Sequence, residues 1–184
     1  MTLYINEWMA ANAGVIVDPA DGNWDDWFEI YNPTTNRVDL ADYTLTDTLA
    51  VPGKFRIPAG YSIAPQSYLL VWADEETAQS ATNGELHVNF KLSQSGEAIG
   101  LYAPDGTAVN TVTFSRQTNN ISQGRWPDGA AAPTSSCPRR PRAPRTRCRR
   151  STRASSPSRS METPRPSPGV RSLDESIASS SKTT

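Results

Sequence analysis

Apolar residues recur at every second position through the first two thirds of the chain, in short runs broken by turn residues. Leu86, Val88, Phe90 and Leu92 alternate with His87, Asn89 and Lys91, the period of a strand with one face in a core. The stretch Asp25-Asp26-Trp27-Phe28-Glu29-Ile30-Tyr31-Asn32-Pro33 puts Phe28 and Ile30 on one face and Trp27, Glu29 and Tyr31 on the other. Both faces carry apolar mass, so this segment is predicted to be a central strand of a two-layer β fold. Leu3 and Ile5 alternate with Tyr4 and Asn6 in a first strand, and residues 67–73 form the most apolar run, a fully buried strand. Shorter strands are predicted near residues 37–40, 43–46, 54–57, 61–63, 98–102, 109–114 and 121–126. Pro52-Gly53, Pro58-Ala59-Gly60, Pro104-Asp105-Gly106 and Pro127-Asp128-Gly129 punctuate them, because Pro fixes φ and Gly accepts positive φ. Only residues 74–82 have helical composition, enough for one or two turns. Roughly nine short strands at regular spacing predict an all-β fold, a β-sandwich or a barrel.

Composition divides the chain in two. Residues 1–132 hold all five Trp and all six Tyr, with 6 Lys+Arg against 16 Asp+Glu, a net charge of −10. Residues 133–184 hold 12 against 3, a net of +9, and are dominated by Arg, Pro, Ser and Thr. The overall charge of −1 describes neither part. The division predicts a β domain over 1–132 and a basic tail over 133–184 too poor in apolar residues to offset its ordering entropy. Cys137 and Cys148 both lie in the tail, so disulfides do not hold the domain. No apolar run is long enough for a membrane span, and Met1-Thr2-Leu3-Tyr4-Ile5 has neither the basic nor the apolar region of a signal peptide. The chain begins inside its first strand, as expected of a piece of a longer protein.

Three readings of the tail compete: a basic nucleic-acid-binding arm, an inert linker, and translation out of frame. The genetic code favours the third. One nucleotide inserted before the codon of Thr134 makes each new codon end in the first two bases of the old one. With TCN serines, Ser135, Ser136 and Cys137 become NTC, NTC and NTG, which encode only Phe, Leu, Ile, Val or Met. An apolar closing strand followed by a Pro-rich linker then replaces the tail, and the domain as written is expected to lack that strand and expose an edge. If the tail is real, its cations predict salt-sensitive, sequence-independent binding to polyanions, opposed by the acidic domain.

Four sets of residues invite chemistry. Asp18, Asp21, Asp25 and Asp26 crowd one loop with Gly22 and Asn23, and hard oxygen ligands in such a loop can hold calcium. Their spacing does not fit the EF-hand pattern, and a solvated acidic turn is the plainer reading. His87, the only histidine, has no cysteine or second histidine in the domain with which to bind zinc, and no nucleophile motif accompanies it, so it reads as a structural or surface residue. Glu7 and Glu29 fall on strands that can pair, which suggests a carboxylate pair, but Glu7 reads more simply as a hydrogen-bond acceptor. Trp24, Trp72 and Trp126 can form an aromatic platform for a sugar or protein partner, or can anchor core and loops. No catalytic residue and no cofactor site other than the calcium loop is assigned.

The order of several segments carries a resemblance. Ile5-Asn6-Glu7, the stretch from Asp25 to Pro33, Val38-Asp39-Leu40, Tyr43-Thr44-Leu45-Thr46-Asp47, Ile57-Pro58-Ala59-Gly60, Tyr68-Leu69-Leu70-Val71-Trp72-Ala73, Asn89-Phe90-Lys91-Leu92-Ser93, Pro104-Asp105-Gly106 and Gly124-Arg125 follow one another as in the bacterial form of the lamin tail domain family. Over about residues 2–130 the chain resembles that family. The resemblance implies an immunoglobulin-like sandwich without catalysis of its own. In nuclear lamins such domains contact proteins and DNA. In bacteria they are accessories of large secreted or surface proteins. The expected function is therefore a non-catalytic interaction or spacer module of an extracellular or cell-surface protein, binding a protein, glycan or envelope partner. Nucleic-acid binding through the tail is the alternative.

Overall fold

A computed structural model describes residues 3–81 and 84–131, together with the backbone of Ser135–Cys137. The tail beyond, on which the nucleic-acid alternative rests, lies outside the described residues. The strands are β1 (Tyr4–Met9), β2 (Asp26–Asn32), β3 (Val38–Asp39), β4 (Thr44–Thr46), β5 (Phe55–Arg56), β6 (Ser62–Ile63), β7 (Ser67–Ala73), β8 (Leu86–Val88), β9 (Gly96–Tyr102), β10 (Ala108–Ser115), β11 (Ser122–Gly124) and β12 (Ser135–Cys137). A six-stranded sheet runs β12-β11-β1-β2-β7-β8, a four-stranded sheet β10-β9-β4-β5, and β3-β6 form a small third sheet. All ladders are antiparallel except β7–β8.

The two larger sheets enclose one core. Ile5, Phe28, Ile30, Val71, Leu86 and Val88 from the first meet Leu45, Phe55, Ile99, Leu101, Val112 and Phe114 from the second. Full burial of each such side chain contributes about 2 kcal/mol. β2 is the central strand its pattern predicts, flanked by β1 and β7. Phe28 and Ile30 enter the main core, while Trp27 enters a second cluster with Met9, Leu70 and Trp72 on the opposite face. The register makes that cluster: Met9 lies opposite Trp27, and Trp27 opposite Trp72. The outer face is covered because the loop from 10 to 25 folds back and lays Val15 and Ile16 on it.

Three features differ from the sequence pattern. The expected helical turns reduce to one 3-10 segment, Thr77–Ala81. The alternation from Leu86 to Leu92 keeps Phe90 and Leu92 buried, yet the ladder ends at Val88. β8 follows β7 in parallel for three residue pairs, after which a lone antiparallel bridge joins Asp74 to Lys91. The edge expected to stand open at β11 is covered instead, since β12 pairs Ser135, Ser136 and Cys137 with Gly124, Gln123 and Ser122. Ladder hydrogen bonds use the backbone alone, so a Ser-Ser-Cys triplet can pair where an apolar one was expected.

Candidate functional site

The acidic residues of the β1–β2 loop differ in exposure: Asp18 is buried, Asp25 and Asp26 are half-buried, and Asp21 is exposed. The loop is tied down at its start by Asn12, whose Nδ2 donates to the carbonyls of Ile16 (2.7 Å) and Asp25 (2.8 Å) and whose Oδ1 accepts from the Val15 amide (3.0 Å). Asn120 adds a second tie, donating its amide to the Ala11 carbonyl and accepting from the Ala13 amide. Farther on the loop closes on itself: the Asp18 amide donates to the Asn23 carbonyl and the Gly22 amide to the Asp18 carbonyl. Gly22 has a φ of 85°, which a residue with a Cβ adopts only under strain.

This geometry carries Asp18 into the interior, where it is fully buried. One carboxylate oxygen from each of Asp18, Asp21 and Asp25 lies within 4.8 Å of the others. A second set is supplied from far along the chain. Asp74 follows the last residue of β7, and the parallel register sets His87 of β8 beside Trp72. Asp74, His87 and Asp18 also gather within 4.8 Å. His87 Nδ1 is 2.6 Å from Asp74 Oδ2 and 3.5 Å from Asp18 Oδ2. Carboxylates only accept, so Nδ1 carries the proton and donates it to Asp74. The second Asp74 oxygen accepts the Glu76 amide at 2.9 Å.

Asp18 Oδ1 accepts the Ala20 amide at 2.8 Å, but its buried Oδ2 has no hydrogen-bond donor. Asp25 Oδ2 and Gln79 Oε1 are in the same condition. Burial pushes the Asp18 carboxyl above its usual range, and burial with the repulsion of Asp21, Asp74 and Asp18 does the same to Asp25. Asp21 is held down by the Asn23 amide. Glu76 is pushed up by desolvation, by Asp21, Asp74 and Asp25, and by a hydrogen bond it shares with Asp21. The corner thus collects five carboxylates, and its oxygens outnumber the donors that face them.

Asp26, the fourth member of the expected calcium loop, does not join. It points back to accept the Asn12 amide at 3.0 Å, and burial raises its carboxyl to about 6. Sequence reasoning missed Asp74, Glu76 and Gln79 and gave His87 only a structural role, because the parallel β7–β8 pair that assembles them leaves no local motif.

The three tryptophans weighed as an aromatic platform or as core and loop anchors part company in the structure. Trp72 is fully buried in the outer-face cluster and donates to Glu85 Oε2 at 2.8 Å, so it cannot face a ligand. Trp24 and Trp126 are exposed, at 56% and 40%. Glu7 and Glu29 do pair in register across β1 and β2, and Glu7 Oε1 accepts from Ser122 Oγ at 2.5 Å. A shallow depression lined by Arg37, Asp39, Gly60, Tyr61 and Ser62 lies among none of these residues. No helix among the described residues is long and apolar enough to cross a membrane.

Two facing, mainly antiparallel sheets around one core, with a covered outer face and loop-borne polar groups, define an immunoglobulin-like β-sandwich. The sequence matches the lamin tail domain family over residues 2–116, more than half of the chain, and the protein belongs to that family. No curated protein sequence matches it.

Proposed function

We propose that the domain is a non-catalytic interaction or spacer module of a larger secreted or cell-surface protein, presenting a protein, glycan or envelope partner with its β1–β2 loop. Membership of a family of immunoglobulin-like, non-catalytic domains supports an interaction role. The observation that carries the choice of surface is Trp24, which stands 56% exposed on a loop fixed by Asn12 and Asn120. Val17, half exposed, lies on the same loop. An exposed aromatic on a rigid support loses little entropy when it is covered by a partner.

A glycan array and cosedimentation with purified cell envelope, run on the intact chain and on Trp24→Ala, test this reading. Retention that falls at least tenfold in Trp24→Ala, with an unchanged melting temperature, supports it. Turnover of a hydrolase substrate by the purified chain, abolished by one side-chain change, overturns it. For the nucleic-acid alternative, DNA retention must fall steeply between low and high salt.

A further inference from the structure

The acidic corner asks for a cation. We propose that it is a calcium site in which Asp18, Asp21 and Asp25 supply carboxylate oxygens and the Asp74–His87 pair supports them from β7 and β8.

Four observations carry this. The three aspartates each place an oxygen within 4.8 Å of the others, the spread of ligands about one ion with bonds of roughly 2.3–2.6 Å. Asp18 is fully buried, and its Oδ2, 3.5 Å from His87 Nδ1, has no hydrogen-bond donor. Among the described residues five buried side-chain atoms lack a hydrogen-bond partner. Two are indole N–H groups of Trp8 and Trp27, and the other three are oxygens of Asp18, Asp25 and Gln79. Gln79 also bonds Asp21, so all three oxygens belong to this corner. Buried acceptors left without a donor are rare in native folds, and a bound cation gives them what a donor would.

The choice of calcium follows from the ligands. His87 Nδ1 already donates to Asp74, so the nitrogen does not offer a lone pair to a metal. That pair borders the site, with His87 Nδ1 3.5 Å from Asp18 Oδ2. The remaining ligands are all hard oxygens, three of them carboxylates, on a loop rather than on a rigid octahedral frame. This favours calcium over zinc, which prefers nitrogen and sulfur, and over magnesium, which tolerates little distortion. Bound calcium would fix the 18–25 segment to the end of β7, beside Trp24 and over the outer-face cluster.

The test is thermal unfolding of the intact chain in EDTA, calcium, magnesium or zinc, with calorimetric titration of calcium. Expected are a rise in melting temperature of about 5 °C or more in millimolar calcium, a smaller rise in magnesium, and a Kd below about 1 mM. Asp18→Asn keeps the acceptor for Ala20 and removes a buried charge. It should lose the calcium response yet melt no lower than the wild type in EDTA, an outcome that a purely structural Asp18 would not give. If Asp18→Asn does not fold, Asp25→Asn must lose the response instead. Equal melting in calcium and EDTA, a response retained in both variants, or a response to zinc without one to calcium overturns the proposal.

Discussion

Two polar corners of this sandwich have opposite electrostatic states. At one end, Arg125 is buried and donates through Nε to the Ile5 carbonyl (2.9 Å), through Nη1 to the Ala130 carbonyl (2.5 Å) and through Nη2 to Asn110 Oδ1 (3.2 Å). Nearby, Asp128 accepts from Asn6 Nδ2 (3.0 Å) and Tyr68 hydroxyl (2.5 Å), one bond to each oxygen. Burial and Asp128 hold the Tyr68 phenol well above its usual range, which keeps it a donor. At the other end, Asp18 is more deeply buried than Asp128 and has an oxygen with no donor. The first corner closes its own hydrogen-bond account with a resident cation. The second does not: three of its buried oxygens, on Asp18, Asp25 and Gln79, have no donor within the chain.

The comparison breaks most visibly at Arg125. Arg125→Ala removes the guanidinium donor from two backbone carbonyls and from Asn110 Oδ1, which keeps the Ile5 amide, and should cost about 3 kcal/mol, lowering the melting temperature by roughly 10 °C. A loss under about 1 kcal/mol would show that water replaces the guanidinium and that the clasp is ornamental. A smaller effect of opposite sign at the two corners sharpens the contrast. Asp128→Asn turns one acceptor into an amide facing a donor, and should destabilise by about 1 kcal/mol. In EDTA, Asp18→Asn should do the reverse and raise the melting temperature by a few degrees, because it removes charge from a place where charge has no counterpart. Paired unfolding curves of the two variants decide the matter: the same sign in both removes the distinction.

Much of the sandwich was legible because its signals are local. The alternation around Phe28 and Ile30 fixed the inner face of β2, and Trp27 on the other face announced a second buried surface. The strand pattern also anticipated the run in β7. What was not legible depends on contacts between distant segments. Asp18 reads as a loop aspartate until the Asn12 ties turn the loop inward, and His87 reads as an ordinary strand residue until β8 lies parallel to β7 and brings it to Asp74. The apolar run of residues 67–73 already pointed Trp72 inward, but its partner Trp27 is set by the register of β2 against β7. Four aspartates near one another marked the acidic loop in the sequence, but which three converge depends on Asp26 turning away to accept the Asn12 amide. Arg125 lies beyond the family match at residue 116, so its clasp is specified by β1 and by the turn after β11.

The smallest effect concerns Glu7, which belongs to neither extreme. It accepts from Ser122 on β11 and faces Glu29 across β1 and β2. Burial raises its carboxyl above the usual range, the Ser122 bond lowers it, and Asp128 adds a further upward push. A carboxyl whose pKa is higher folded than unfolded holds its proton more tightly in the native state. Its ionisation therefore opposes folding. The penalty is absent below the unfolded value of about 4.3, grows as pH rises toward the folded value, and is complete above it. Glu7→Gln keeps an acceptor for Ser122 and cannot ionise. It should melt roughly 2 °C above the wild type at pH 7 and together with it at pH 3.5. A gain that persists at pH 3.5 would assign the effect to packing, and a loss at pH 7 would mean that the Glu7 charge supports the β1–β11 junction. In that case Glu7 would belong with Asp128, among the carboxylates whose partners are already in place.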